Sequence, residues 1–218
     1  MVKKTLQSVW AAAFTVYTNL VYMINEKPKG VDFILTDKSA MALSASASYY
    51  ASVPKRTMQK VFCNIPILPE DSFLDIGSGK GHVLYLAHQM GFGRVHGIDL
   101  SHSLCETALR NISALHLSGK VTVDCISASD FNEFDKYSYL FMANPFSEEV
   151  MQKVVDNIEQ SLRHNPRKIT IIYLNPRCHQ VLDGCALLWL AEKRFVRVYN
   201  PLKKWSVYYY ESACDKSS

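Results

Sequence analysis

Short apolar blocks alternate with longer amphipathic stretches along most of this chain, from residue 72 onward. Five blocks are rich in β-branched and aromatic residues and are bounded by turn-forming residues, a pattern that predicts buried strands. They are SFLDI (72–76), RVHGIDL (94–100), KVTVDCI (120–126), YSYLFMA (137–143) and KITIIYL (168–174). Helices are predicted in the intervening stretches, where apolar residues recur at helical spacing. These stretches are 80–90, 101–117, 147–164 and 178–193, and a further short helix is predicted within 55–65.

The order of these elements indicates the fold class. Strands that alternate with helices form a parallel sheet with helices on both of its faces. The C-terminal part differs, because FVRVY (195–199) and WSVYYYE (205–211) are separated only by NPLKK, which predicts a hairpin. We therefore expect an α/β fold with a mostly parallel sheet and an antiparallel last strand. In such sheets, ligands bind beyond the carboxyl ends of the strands.

Residues 1–50 are expected to form an extension that precedes a domain of residues 51–218. Apolar residues recur at helical spacing between Val9 and Ile24, which predicts an amphipathic helix, and a linker rich in Ser and Ala follows. The apolar run is too short and too polar for a transmembrane segment, and no small-residue cleavage site follows it. We expect this helix to pack on the domain, on a partner or on a second copy. Membrane attachment is the alternative.

A run of alternating glycines, FLDIGSGKG (73–81), follows the first strand of the predicted sheet. Gly77, Gly79 and Gly81 give the spacing GxGxG, whereas a dinucleotide fingerprint requires GxGxxG and a phosphate loop requires GxxxxGK[ST]. Asp75 precedes the first glycine by two positions, and its carboxylate would repel a pyrophosphate. The loop therefore favours a ligand that is amino-acid-like and positively charged at one end.

A second acid, Asp99, ends the next predicted strand, 22 positions after Gly77 (99 minus 77). An acid at this place accepts hydrogen bonds from the two hydroxyls of a ribose. With Asp75 facing an ammonium group, the two acids together indicate S-adenosylmethionine as the ligand. In the alternative interpretation, Asp75 caps a helix and Asp99 starts one. A second alternative is an NAD(P)-dependent oxidoreductase, which the early third glycine and Asp75 disfavour.

These motifs resemble those of the class I S-adenosylmethionine-dependent methyltransferases, and the resemblance covers roughly residues 50–211. It is greatest to bacterial members that have a DxGSGKG first motif, an NPF motif and a lead-in containing Tyr. It implies a Rossmann-like, seven-stranded sheet whose last strand lies antiparallel between its neighbours. By the same resemblance Asp75 and the three glycines would line the methionine moiety, and Asp99 the ribose.

The resemblance also implies further cofactor contacts. These are assigned to Ser78 within the glycine loop and to Leu100 directly after Asp99. The family usually places an acid after the third strand to bind the adenine amino group, but Ser127 and Ala128 stand there in this chain. GVDF (30–33) and SYYASVP (48–54) resemble the family's lead-in, in which Tyr50 or its neighbour Tyr49 would fold over the cofactor. A packing role for this tyrosine is equally compatible with the sequence.

The predicted catalytic corner is Asn144-Pro145-Phe146, after the fourth strand. In methyltransferases that act on amino groups, the corresponding [DNS]PP[YF] motif orients a substrate nitrogen and stacks an aromatic ring on the substrate. This chain has one proline there, so the resemblance is partial, and a simple turn into the next helix is the alternative. Transfer relies mainly on proximity and orientation, and we assign no general base among His82, Asp130 and His179.

The amino-acid composition excludes fewer classes of function than the motifs do. The net charge is +4, the basic pairs are scattered, and no basic stripe is interleaved with aromatic residues, so no strong nucleic-acid signature is present. The six cysteines form no CxxC pair, so we predict no metal site and a reduced, cytoplasmic protein. The acceptor stays open among small molecules, protein side chains and nucleic acids. A non-catalytic protein that binds S-adenosylmethionine is a further alternative.

Overall fold

A computed structural model describes residues 28, 30–33, 53–143, 146–197 and 204–213. Within these ranges seven strands and five α-helices follow one another. The strands are β1 (Ser72–Ile76), β2 (Arg94–Asp99), β3 (Val121–Cys125), β4 (Tyr139–Met142), β5 (Thr170–Leu174), β6 (Leu188–Arg197) and β7 (Lys204–Ser212). The helices are α1 (Lys55–Val61), α2 (His82–Met90), α3 (His102–Ala114), α4 (Glu148–His164) and α5 (His179–Asp183), and a 3-10 turn covers Phe134–Lys136.

The strands form one sheet in the order β3-β2-β1-β4-β5-β7-β6. The first five strands of this order are parallel, whereas β7 is antiparallel to both β5 and β6 and lies between them. This confirms the predicted Rossmann-like, seven-stranded and mostly parallel sheet with an antiparallel last strand. Asp75 pairs with Gly97, and Asp99 pairs with Cys125, so both acids lie at the carboxyl end of the parallel strands.

Two hydrophobic cores, one on each face of the sheet, bury the central strands. Adjacent residues of a strand point to opposite faces, and in β1 Phe73 belongs to one core while Leu74 belongs to the other. The core around Phe73 receives side chains from α1, α2 and α3, and the core around Leu74 receives them from α4 and α5. Helices therefore cover both faces, as predicted from the alternation of elements.

The prediction of one helix over 178–193 is wrong. Helix α5 ends at Asp183, and the apolar run that follows is strand β6, which begins at Leu188. Leu188 pairs with Ser212 and Leu190 with Tyr210, so β7 supplies the backbone hydrogen-bond partners that an additional helical turn would have supplied internally. A short apolar run shows neither a helical nor a strand periodicity, so its structure is determined by pairing with a strand that is distant in sequence.

The lead-in that precedes the domain is described only in part. Val31 and Phe33 are buried against α2 and α3, whereas the predicted N-terminal helix and Tyr50 lie outside the described residues. None of the helices in the described part of the chain is sufficiently long and apolar to cross a membrane.

Gly97 in β2 is required by the close approach of the glycine loop to the sheet. A Cβ atom at this position would lie 2.6 Å from Leu84 Cδ1 and 2.7 Å from Ser78 Cβ. The Leu84 methyl group can rotate away, but Ser78 Cβ is fixed to the loop backbone. Even a methyl group on Gly97 would therefore displace the loop.

The Gly97→Ala variant is expected to lose about 1–3 kcal/mol of unfolding free energy, because overpacking forces a backbone shift. Gly184→Ala is the matched control, since its Cβ would meet only ordinary contacts at 3.5 Å and its φ of −82° suits alanine. The control is expected to be neutral or stabilising by up to about 1 kcal/mol. Urea unfolding of both variants measures the difference. Equal stabilities would contradict the close approach.

Candidate functional site

The glycine loop 77–81 joins β1 to α2 at the carboxyl edge of the sheet. All three of its glycines have positive φ: 90° at Gly77, 53° at Gly79 and 80° at Gly81. Side chains with a Cβ atom rarely adopt this conformation, so the alternation of glycines reflects the path of the backbone. The last residues of β1 are buried, whereas Gly77 directly after the strand is exposed, so a ligand can approach the backbone there.

Hydrogen bonds tie this loop to the end of β2. The amides of Gly77 and Ser78 donate to the carbonyl of Ile98, at 2.8 and 3.0 Å. The amide of Gly79 donates to Asp99 Oδ2 at 2.8 Å, and the amide of Ser101 donates to Asp99 Oδ1 at 2.9 Å. Each carboxylate oxygen of Asp99 therefore accepts one backbone hydrogen bond and keeps lone-pair capacity for a second donor.

Asp75 is the most buried acid at this edge, with 3% of its surface exposed. Burial, together with the nearby negative charge of Asp99, raises the pKa of its carboxyl group well above the ordinary aspartate value. Burial also raises the pKa of Asp99, while the hydrogen bonds from Ser101 and Gly79 oppose that shift. Two desolvated acids so close together favour a cation over any anionic group.

Ser78 adds an unsatisfied polar atom to the same loop. Its Oγ is buried and has no hydrogen-bond partner within the described ranges. The hydroxyl faces Gly97 of β2, because a Cβ at Gly97 would lie 2.7 Å from Ser78 Oγ, so the side chain packs the loop onto the sheet. The glycine cradle and the two acids together fit a ligand with a cationic amino-acid end and a sugar.

The loop after β3 lies beside Asp99. The amide of Ile126 donates to the carbonyl of Asp99 at 3.0 Å, which brings Ser127 and Ala128 to the same edge as the glycine loop. Asn157 of α4 fixes the continuation of this loop, because its Nδ2 donates to the carbonyls of Ser129 and Phe131 at 3.0 and 3.1 Å. Asn157 is not predicted by any of the motifs, since none of them points to a residue so far along the chain.

The structure describes only some of the remaining predicted site residues. Leu100 is 60% exposed directly after Asp99, as an apolar side chain at the rim of the edge. Phe146 is half-buried and packs on the same core as Ala128. Asn144 and Pro145 lie outside the described residues, so the predicted catalytic corner is represented here by Phe146.

The three side chains considered as general bases have distinct surroundings. His82 is 1% exposed, and burial lowers its pKa to about 3, so the imidazole is neutral and has little basicity. Asp130 is exposed. His179 Nδ1 lies 2.9 Å from Asp183 Oδ2. The geometry therefore disfavours His82 as a base and assigns no such role to the other two.

Comparisons with known proteins agree with this fold. A family model described as "Methyltransferase domain" matches residues 73–165. The ribosomal protein L11 methyltransferase of Pelobacter propionicus is 26% identical over 93 residues, which are 43% of this chain and 30% of that protein. The chain therefore matches less than one third of that relative's length.

Solved structures with a similar fold include m1A22 tRNA methyltransferases. TrmK of B. subtilis has a TM-score of 0.57 at 12% identity, over 72% of this chain and 66% of that chain. TrmK of M. capricolum, in complex with S-adenosyl-homocysteine, has a TM-score of 0.56 at 14% identity, over 76% and 72%. Streptococcus pneumoniae Sp1610, in complex with S-adenosyl-L-methionine, has a TM-score of 0.55 at 14% identity, over 77% and 76%.

At such identities these structures establish the fold. They share the seven-stranded sheet of this chain, and the family model described as a methyltransferase domain matches residues 73–165. That span contains the glycine loop, Asp99 and the loop after β3.

The raised pKa of Asp75 leads to a prediction for the ligand-free protein. Because the folded protein holds the Asp75 proton more tightly than the unfolded chain does, ionising this group costs stability. The cost is absent below the unfolded pKa and grows as the pH rises through the folded pKa. Asp75→Asn is therefore expected to raise the melting temperature at neutral pH and to leave it nearly unchanged in acid.

Thermal unfolding between about pH 4 and pH 8 measures this difference. The matched control is Asp130→Asn, an exposed acid at the same edge, which is expected to change the melting temperature little, as surface substitutions usually do. A melting temperature of Asp75→Asn below that of the wild type at neutral pH would contradict the prediction.

Proposed function

We propose that this protein is an S-adenosylmethionine-dependent methyltransferase that acts on a nitrogen nucleophile. The observation that carries the proposal is the pairing of a buried acid, Asp75, with a partly buried acid, Asp99, at either side of a glycine cradle on a methyltransferase fold. When bound, S-adenosylmethionine supplies a methyl group activated by a positively charged sulfur. The residues of the chain bind the cofactor, exclude water from it and orient the acceptor.

Each part of the site suits one part of the cofactor. We assign to Asp75 the hydrogen bonds from the ammonium group, and the positive-φ backbone of the glycine loop is proposed to leave room for the methionine chain. Asp99 retains an acceptor position on each oxygen for the two ribose hydroxyls. Ser127 and Ala128, with Leu100 at the rim and Tyr50 from the lead-in, are proposed to hold the adenine.

An NAD(P)-dependent activity is less compatible with this edge. A pyrophosphate at the glycine loop would face Asp75, whose burial already makes a negative charge costly. The same repulsion does not arise with a cofactor that carries an ammonium and a sulfonium group.

The acceptor is proposed to approach the corner formed by Asn144, Pro145 and Phe146. A side-chain amide oxygen and a backbone carbonyl can both accept hydrogen bonds from an amine or a ring nitrogen, and Phe146 can stack on a planar acceptor. The tRNA methyltransferases with the same fold support a nitrogen atom as the target. We propose that residues 1–50 form an extension that selects the acceptor.

Calorimetric titration of the purified chain tests the cofactor. S-adenosylmethionine and S-adenosyl-homocysteine are expected to bind, and NAD is expected not to bind. Asp99→Asn keeps the size of the side chain but removes its charge, and it is expected to weaken binding by about 10- to 100-fold, since hydrogen bonds to charged groups contribute about 1.5–3 kcal/mol. Asp156→Asn, an exposed change on α4, is the control. Binding of NAD alone would overturn the proposal.

The nature of the acceptor calls for a separate assay. Incubation with a methyl-labelled cofactor and, in parallel, unmodified tRNA, protein extract and small amines is expected to label one class at nitrogen, as identified by mass spectrometry. Phe146→Ala is expected to reduce this labelling while cofactor affinity stays unchanged, because the aromatic ring is proposed to contact only the acceptor. Labelling at carbon or oxygen would contradict the assignment of a nitrogen target.

A further inference from the structure

We infer that Lys80, Asp32 and Asn111 act as positioning residues that hold the glycine loop in its cofactor-binding conformation. The three side chains and the lead-in residues 30–33 form a brace on the side of the loop that faces α3. This inference rests on the proposed function, because the loop is assigned there to the methionine part of the cofactor.

The ion pair of the brace is formed by a buried lysine. Lys80 lies between Gly79 and Gly81 and is 4% exposed, and its Nζ lies 3.1 Å from Asp32 Oδ2. The Asp32 side chain is 48% exposed, so the pair reaches from the loop to the surface. A buried ammonium group is costly unless it is paired, so a lysine at this place favours a docked lead-in.

Asn111 joins the same two segments through its side-chain amide. Its Nδ2 donates to the carbonyl of Lys80 at 2.9 Å and to the carbonyl of Asp32 at 3.0 Å, and its Oδ1 accepts from the amide of Asp32 at 2.8 Å. Asn111 is 3% exposed in the last turn of α3. One buried amide therefore fixes the loop backbone at Lys80 and the lead-in backbone at Asp32 together.

Aromatic packing extends the brace to the first turn of α2. Phe33 is 1% exposed, and its ring centroid lies 4.9 Å from that of His82 and 5.9 Å from that of Tyr85. His82 directly follows Gly81, so the lead-in contacts the chain at the end of the loop as well as within it. The end of the loop is thus held from two directions.

A loop with three glycines needs such support more than an ordinary loop does. Glycine loses the most conformational freedom when it is ordered, and ordering the loop at the moment of binding would reduce the affinity for the cofactor. A brace that orders the loop in advance removes this cost. The role of Lys80 is therefore to position the backbone of the loop that contacts the cofactor.

The test compares Lys80→Met, Asp32→Asn and the double variant in the full chain. Lys80→Met is expected to weaken S-adenosyl-homocysteine binding by roughly 10-fold and Asp32→Asn by less, because the Asp32 carboxylate is half exposed. The double variant is expected to bind about as weakly as Lys80→Met alone, which is the non-additivity of two residues that act as a pair. The matched control is Lys168→Met, which breaks a 3.7 Å pair with Glu211 at the opposite edge of the sheet and is expected to bind as the wild type does.

Hydrogen exchange followed by mass spectrometry gives a second readout that needs no ligand. The peptide covering residues 77–81 is expected to exchange faster in Lys80→Met and Asp32→Asn than in the wild type, while the strands β4 and β5 exchange at unchanged rates. If Lys80→Met fails to fold, the milder Asp32→Asn variant carries both measurements.

The possible outcomes distinguish a failure of the proposed function from a failure of the brace. If the wild type binds no S-adenosyl-homocysteine, the proposed function fails, and the brace is judged on loop exchange alone. If the wild type binds and the folded Lys80 and Asp32 variants bind equally well, with unchanged exchange at 77–81, the brace is overturned. A lower melting temperature with unchanged affinity at 20 °C would likewise assign these residues to general stability and overturn the positioning role.

Discussion

The attachment of the glycine loop to the end of β2 is the interaction on which the rest of this site depends. Three consecutive loop amides, from Gly77 to Gly79, donate to the carbonyl of Ile98 and the carboxylate of Asp99. This arrangement requires positive φ angles in the loop and no Cβ atom at Gly97 beneath it. The loop after β3 attaches to Asp99 in turn, through the amide of Ile126. The end of one strand thus organises both loops of the candidate binding edge.

The acids at the same edge lower the stability of the folded protein. Asp75 is buried near a second acid. The pKa of its carboxyl group is raised because the folded protein disfavours the negative charge of this side chain. Sites that bind cations are commonly destabilised in this way, because the groups that attract the ligand repel one another without it. In our proposal, the cofactor's positive charges relieve the repulsion. Binding of the cofactor would then also stabilise the fold.

Much of the fold and part of the site could be predicted from local sequence. The alternation of elements predicted the sheet, and it predicted correctly that Asp75 and Asp99 lie at the carboxyl ends of neighbouring strands. The run 188–193 was assigned to a helix because its hydrophobic residues have no distinctive period, and only pairing with β7 makes it a strand. The brace could not be predicted from local sequence, because Lys80 and Asp32 are separated by 48 positions and Asn111 and Asp32 by 79. Asn144, Pro145 and Tyr50 stay predictions.

The position of β7 between β5 and β6 has a consequence for the order in which the protein is completed during synthesis. Strand β6 leaves the ribosome before β7, but its hydrogen-bond partners are on β7, so it has no place in the sheet until the later strand arrives. The strands of the candidate binding edge, β1 to β3, pair with one another and with β4, and all four precede β6 in the chain. The nascent chain can therefore assemble its binding half first while an unpaired strand with exposed Trp189 and Phe195 awaits its partner. That interval is when this protein is most vulnerable to aggregation through a free strand edge.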